Sequence, residues 1–278
     1  MKELFDTSSL ECSKIVTNSY STSFSMGIKL FGPSIRPSIY AIYGFVRYAD
    51  EIVDSFEDYE QEVLFNDFVE DYRKSLDRKI SLNPIINSFQ EVVHKYNLYA
   101  YADEFLKRME ADLHVTTYTT KEDYENYIYG SADVVGLMCL RVFVNNDDVR
   151  FNELKNSAKY LGSAFQKVNF LRDIKDDTEN LGRSYFPTLT DNTLNNSNKE
   201  NIISDIEKDL KEAYKGIIQL PLDSRLGVYI AYRYYLKLLK KLKKADANKI
   251  LNERIRVSNA LKLVILTKSY IRYKLNAF

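Results

Sequence analysis

The chain has no tryptophan, two cysteines, five prolines and nine glycines in 278 residues. Two cysteines, Cys12 and Cys139, cannot build a disulfide framework, and the N-terminus lacks the basic-then-apolar layout of a secretory signal. No apolar run approaches the roughly 20 residues of a membrane-spanning helix. Basic and acidic residues are equal in number, 39 of each, which argues against a protein that coats nucleic acid. We therefore expect a cytoplasmic globular protein.

The hydrophobic content of 45% is sufficient for a substantial core. No glycine follows Asn or Asp, so the strongest hairpin signal is missing, whereas apolar residues recur with the helical period over long segments. We predict an all-α fold, with one domain over residues 1–278 and a surface loop over 189–201. The predicted helices span residues 8–26, 37–56, 60–79, 84–97, 100–115, 121–143, 150–178, 199–218, 223–245 and 247–274.

Two carboxylates stand four residues apart in the predicted helix 37–56. Asp50 and Asp54 lie about 40° apart on the helical wheel, on a stripe shared with Tyr43 and Arg47. Carboxylates at this spacing repel each other, and a bridging cation would relieve the repulsion. A solvated helix edge explains this row equally well when it is taken alone.

A second polar row repeats every four residues in the predicted helix 150–178, at Asn169, Asp173 and Asp177. Aromatic residues flank it, and a carboxylate between apolar walls needs a partner. Because no Cys or His accompanies the row, hard divalent cations with oxygen ligands fit best, and Mg²⁺ is commonly shared between carboxylates and substrate phosphates. The two rows together predict a diphosphate site if they face each other. Structural salt bridges to nearby Lys and Arg remain the alternative.

The remaining candidate features are weaker. His94 and His114 are twenty residues apart with no second ligand nearby, which is typical of surface or half-buried histidines. The lysine run over residues 237–244 is explained by a solvated helix face or by attraction to an anionic bilayer. Gly130 and Gly136 lie inside a predicted helix, where each costs about 1 kcal/mol. They indicate a close approach, either of a polyprenyl tail or of another helix.

Taken in order, five motifs resemble the squalene/phytoene synthase family, the head-to-head prenyl synthases, across almost the whole chain. The two acidic motifs are residues 47–54 and 166–177, the second in the form QxxNxxxDxxxD. Residues 20–24 (YSTSF), 182–187 (GRSYFP) and 252–254 (NER) match further family landmarks. The resemblance implies an isoprenoid-synthase helical bundle with a central cavity that binds prenyl diphosphates.

The resemblance also implies roles for particular residues. Two to three Mg²⁺ ions are expected, and no nicotinamide cofactor. The implied metal ligands are Asp50, Asp54, Asn169, Asp173 and Asp177, of which the four aspartates, together with Tyr127 near the reacting carbons, are the expected catalytic residues. The implied substrate-binding residues are Tyr20, Ser21, Thr22, Ser23, Tyr43, Arg47, Gln166, Arg172, Tyr235 and Arg254. Glu51 replaces a common second aspartate, and we expect it to point toward solvent. Tyr20 stands where some members have histidine.

The function implied by the resemblance is phytoene synthesis, a Mg²⁺-dependent condensation of two geranylgeranyl diphosphates through a cyclopropyl diphosphate intermediate. Dehydrosqualene or squalene synthesis from farnesyl diphosphate is the nearest alternative, and a helical binding or assembly protein without catalysis is an alternative of another class. The expected partners are prenyl diphosphates and the inner face of the membrane as a peripheral surface, without nucleic acid.

Overall fold

The computed structural model describes residues 1–179, 182–187, 189 and 193–275. Across these residues the chain is helical, which confirms the all-α prediction, and an isolated bridge pairs Thr117 with Ser184. The helices are α1 (Lys2–Tyr20), α2 (Thr22–Ile28), α3 (Arg36–Ser55), α4 (Gln61–Arg78), α5 (Pro84–Tyr96), α6 (Tyr99–Asp112), α7 (Lys121–Ile128), α8 (Val134–Phe143), α9 (Asp148–Glu179), α10 (Asn196–Ile217), α11 (Leu222–Lys244), α12 (Ala247–Asn252) and α13 (Asn259–Lys274).

Three predicted helices are interrupted in the structure. Ser21 is extended, with φ −143°, and its hydroxyl accepts from the Phe24 N–H, so it ends α1 and caps α2. A π-helical turn over Tyr129–Asp133 separates α7 from α8. Residues 253–258 separate α12 from α13, whose N-terminus is capped by the Ser258 hydroxyl. Such short caps were invisible to a search for apolar periodicity.

The predicted surface loop over 189–201 is wrong in its second half. A reciprocal capping box between Asn195 and Asn198 starts α10 at Asn196. Leu189 and Leu194 are buried, so the described part of the connection also packs against the core. Residues 190–192 of this prediction lie outside the described residues.

The core has one aromatic centre between α3, α4 and α5. Phe45 stacks on Phe89 with ring centroids 3.9 Å apart, and Phe68 and Tyr72 of α4 pack against the same ring. All four side chains are at most 7% exposed. This packing holds α3 rigidly, so its opposite face can carry polar residues toward a second group of helices, α8 to α11.

The two glycines singled out in the sequence are explained by close packing of protein on protein. A Cβ on Gly136 would lie 3.0 Å from the carbonyl oxygen of Ala158 in α9, and one on Gly130 would lie 3.0 Å from the Arg108 Cβ. Gly162 of α9 approaches the π-helical turn in the same way, at 2.8 Å from the Ala132 carbonyl oxygen. The alternative of tight helix packing therefore accounts for these glycines, although Gly136 also lines the cavity described below.

Within the described part of the chain, no helix combines the length and the apolar character needed to cross a bilayer.

Candidate active site

A cavity of about 460 Å³ runs between the helices, within the size range of small-molecule sites. Residues of α2, α3, α6, α8, α9, α10 and α11 line it. On α9 the lining extends from Leu154 to Asp177, which is about 35 Å along the helix axis. The carboxyl-terminal ends of α3 and α9 bring polar residues to one end of the cavity, and the rest of the wall is largely apolar.

The first acidic row lies at the end of α3. Asp50 and Asp54 both face the cavity, as the sequence predicts. Arg47 forms ion pairs with Asp50 and also with Glu51. The expectation that Glu51 points to solvent is therefore wrong, since its side chain is 18% exposed and is held against Arg47. The Arg47 Nε is buried without a hydrogen-bond partner among the described residues.

The second row lies in the last turns of α9, where Asn169, Asp173 and Asp177 face the same cavity. Asp173 accepts from Arg172 Nε at 2.8 Å and from Arg254 Nε at 2.9 Å. Asp177 has no ion-pair partner within the described part of the chain. The two rows therefore converge on one cavity, and the alternative of unrelated solvated edges is excluded.

The convergence is visible in the electrostatics of the carboxyl groups. Burial, followed by the repulsion of Asp54, raises the pKa of Asp50 to about 7. Burial, then repulsion by Asp173 and by Asp54 across the cavity, raises the pKa of Asp177 to about 7. Acidic groups that repel each other from two walls form a site that attracts cations.

Arg183 joins the two rows and was missed as a functional residue in the sequence. Its side chain is 7% exposed, forms an ion pair with Asp54 and donates to the carbonyl oxygens of Val53 and Asp112 at 3.1 and 3.2 Å. The GRSYFP motif that contains it signalled its importance without indicating its partner, because Asp54 is 129 residues away.

A buried hydrogen-bonded cluster lies beside the acidic rows. Tyr127 and Tyr118 donate to the two carboxylate oxygens of Asp112, at 3.0 and 3.2 Å. Burial raises the pKa of Asp112 to about 7, and burial also raises the pKa of Tyr127 well above its usual value. Tyr127 and Asp112 both line the cavity. Asp112 carried no sequence signal, since it ends α6 without a repeating acidic neighbour.

The middle and far parts of the cavity are apolar and aromatic. Phe165 stacks on Tyr235 with ring centroids 3.8 Å apart, and the Tyr235 hydroxyl donates to Asn169 at 3.3 Å. Farther along, Phe31 and Phe143 meet edge to face at 5.1 Å. Phe143 ends α8, sixteen residues and so about 24 Å beyond Tyr127. The two phenylalanines therefore form the floor of the cavity, opposite its acidic end.

The sequence-predicted residues fall into two groups. Those that line the cavity are Tyr43, Arg47, Asp50, Asp54, Tyr127, Gln166, Asn169, Arg172, Asp173, Asp177 and Tyr235. Tyr20, Ser21, Thr22, Ser23 and Arg254 do not line it. They lie at its rim: the Tyr20 ring is 4.5 Å from the Arg47 guanidinium, Arg254 holds Asp173, and residues 21–23 begin α2.

The oxygen donors of the two rows fit a hard cation better than a softer one. Among the described residues, no three Asp, Glu, His or Cys side chains approach closely enough to hold a metal by themselves. An ion here would therefore need further oxygens from water or from a substrate, which is the usual situation of Mg²⁺ in proteins.

Comparison with known proteins gives the same assignment as the geometry. The family model described as Squalene/phytoene synthase matches residues 17–192, and the chain belongs to this family. A 15-cis-phytoene synthase of Enterobacter agglomerans is 29% identical over 82% of this chain and 83% of its own length. A 4,4'-diapophytoene synthase of Staphylococcus haemolyticus (strain JCSC1435) is 27% identical over 95% of this chain and 96% of its own.

Solved structures agree on the fold. A dehydrosqualene synthase crystallised with a ligand matches with a TM-score of 0.82 over 98% of both chains, at 20% identity. A squalene synthase of Alicyclobacillus acidocaldarius matches with a TM-score of 0.73 over 85% of this chain and 94% of its own, at 21% identity. The helical isoprenoid-synthase fold is thereby established, and with the family comes the class of reaction, transfer of prenyl groups in isoprenoid biosynthesis.

Proposed function

We propose that this protein is a phytoene synthase, which condenses two geranylgeranyl diphosphates head to head with Mg²⁺ and releases diphosphate. The main support is one cavity with two acidic rows and arginines at one end and a long apolar wall beyond them. A substrate with a diphosphate head and a polyprenyl tail has the same division of polarity. The similarity to the phytoene synthase of Enterobacter agglomerans favours this product.

The diphosphate group would lie between the acidic rows. Asp50, Asp54, Asn169, Asp173 and Asp177 would hold Mg²⁺, which when bound neutralises the diphosphate leaving group. Arg47 has a buried Nε donor without a partner, so an anion beside it would satisfy that donor. Arg172, on the facing helix, offers a second guanidinium to the same anion, and planar guanidinium groups suit phosphate oxygens.

Departure of diphosphate leaves an allylic cation, which adds to the double bond of the second substrate to give a cyclopropyl diphosphate. The second ionisation, rearrangement and loss of a proton then give the hydrocarbon. The faces of Tyr127, Phe165 and Tyr235 border this part of the cavity and stabilise a passing cation electrostatically. The apolar wall excludes the water that would capture it.

Dehydrosqualene synthesis from two farnesyl diphosphates is the second candidate. It is favoured by the 4,4'-diapophytoene synthase relative, which aligns over nearly the whole of both chains. The two reactions share every step and differ in the length of the tail that the apolar wall must accommodate.

The test is to incubate the purified protein with farnesyl or geranylgeranyl diphosphate, with Mg²⁺ or EDTA, and with or without NADPH. A forty-carbon hydrocarbon formed with Mg²⁺ and without NADPH is the expected product. A thirty-carbon product from farnesyl diphosphate alone would transfer the assignment to the second candidate. No turnover of either substrate would support a binding or assembly protein on the same fold.

A further inference from the structure

The C-terminal helix α13 exposes an apolar face that no described part of the protein covers. Its inner face packs on α11, and Ser269 on that side is 2% exposed. On the outer side Leu263, Val264, Ile271 and Leu275 are 60%, 44%, 51% and 72% exposed. At about 100° per residue these four side chains fall within an arc of about 120°. We call Leu263, Val264, Ile271 and Leu275 the outer stripe.

The charges on and around α13 have one sign. Lys268 and Arg272 are both exposed and lie along one edge of the outer stripe. Residues 259–275 contain no Asp or Glu. Residues 237–275 carry twelve Lys and Arg against two acidic residues, an excess of ten positive charges, in a chain whose total charge is zero. The remainder of the chain is therefore net negative by the same amount.

We propose that α13 docks on an anionic lipid bilayer, with the outer stripe in the interface and Lys268 and Arg272 at the headgroups. A helix with an exposed apolar face and basic flanks is typical of interfacial membrane binding. Each Lys or Arg close to an anionic surface adds about 1 kcal/mol of attraction, or about fivefold in affinity.

The charges also distinguish a bilayer from a second copy of the chain. A symmetric dimer through the outer stripe would place Lys268 and Arg272 near the same residues of the other copy, without an acidic residue on either helix to compensate them. Like charges at an interface oppose association. An anionic bilayer has the complementary charge and an apolar interior.

The position of α13 relative to the cavity gives the docking a consequence. The Lys262 ammonium donates to Thr22 at the polar rim, and the Tyr273 hydroxyl donates to the Leu222 carbonyl oxygen at the start of α11. The helix thus runs along α11, whose Gly227, Val228 and Tyr235 line the cavity on the other side. Only one helix layer separates the cavity from the surface that would face lipid.

The proposal is tested with the full chain and vesicles of phosphatidylcholine alone or with phosphatidylglycerol, by co-sedimentation at two salt concentrations. We expect binding to the anionic vesicles, weaker binding at higher salt, and little binding to phosphatidylcholine. The paired change Leu263→Gln and Ile271→Gln should weaken binding at least about tenfold, since two exposed apolar groups no longer enter the interface. Leu82→Gln, at a residue 90% exposed between α4 and α5, is the matched control.

A charge reversal gives the second arm. Lys268→Glu with Arg272→Glu should lower affinity for anionic vesicles more than tenfold. Lys208→Glu with Lys211→Glu, on the exposed side of α10, makes the same change in net charge elsewhere. Turnover measured in detergent should not differ between the two variants, because all four residues lie outside the cavity lining.

Equal losses in the two charge variants would overturn the proposal, because total charge alone would then explain binding. It would also be overturned if wild-type protein ignored anionic vesicles. A dimer seen by analytical ultracentrifugation and abolished by the Leu263→Gln and Ile271→Gln changes would assign the stripe to self-association instead. None of these outcomes depends on which prenyl diphosphate is the substrate.

Discussion

The guanidinium of Arg183 forms an ion pair with the carboxylate of Asp54, and so fastens the segment that follows α9 to the end of α3. The same side chain donates to the carbonyl oxygens at the ends of α3 and α6, through Val53 and Asp112. Three segments far apart in the chain thus meet at one buried cation, directly beside the acidic end of the cavity.

Replacing Arg183 with Ala should therefore destabilise the protein and damage the site together. Loss of one member of a buried ion pair typically costs about 3–5 kcal/mol, and the two carbonyl oxygens lose their donor as well. We expect the free energy of unfolding, measured in urea, to fall by about this amount. Lys74→Ala, which breaks the exposed pair with Glu70, should cost about 0–1 kcal/mol. Equal effects of the two changes would show that Arg183 has no structural role.

Asp133 should make the stability depend on pH. It is 5% exposed at the end of the π-helical turn, accepts from the Ser163 hydroxyl at 2.8 Å, and burial raises its pKa to about 7. Between about pH 4 and pH 7 the folded protein keeps a proton on Asp133 that the unfolded chain has lost. Stability from this group therefore decreases as the pH rises through that window.

Asp133→Asn removes this titration and leaves an oxygen to accept from Ser163. The stability advantage of the variant over wild type should grow by about 2 kcal/mol between pH 5 and pH 8. Urea unfolding of both proteins at several pH values measures it. A difference that stays constant with pH would mean that Asp133 does not titrate in this range.

The floor formed by Phe31 and Phe143 should limit the length of the tail. Phe143→Ala opens space at the far end of the apolar wall, at a cost in stability of up to about 3 kcal/mol. On the proposed reaction, the ratio of kcat/KM for geranylgeranyl over farnesyl diphosphate should rise about tenfold, since longer tails gain room. Phe24→Ala, near Tyr43 and Phe165 at the polar end, is the control and should change both substrates alike. An unchanged ratio in Phe143→Ala would place the limit elsewhere.

Local patterns were enough to predict the helices and both acidic rows. A repeat of four residues puts Asn169, Asp173 and Asp177 on one face of α9 whatever surrounds the helix, and this prediction is confirmed. The facing of the two rows could be expected only from the family resemblance, since it depends on how α3 and α9 pack.

The residues that sequence reasoning missed act through partners distant in the chain. Asp112 gains its surroundings from Tyr118, Tyr127 and Arg183, which the fold brings together, and nothing near Asp112 in the sequence marks it. Glu51 was misplaced because a helical wheel gives only the direction of a side chain, whereas the long arm of Arg47 draws the carboxylate to itself. The roles of Tyr20, the serines of residues 21–23 and Arg254 toward a diphosphate remain predictions.

The central claim is that the row on α3 and the row on α9 bind one diphosphate together through Mg²⁺. It is tested by measuring Mg²⁺-dependent binding of a prenyl thiodiphosphate to wild type, Asp50→Asn, Asp173→Asn and the double variant, with circular dichroism to verify the fold. If the site is shared, each single change should weaken binding about 100-fold, about 3 kcal/mol, and the double variant should be little worse than either. Losses that simply add, or Mg²⁺-dependent binding that survives either change, would contradict the claim.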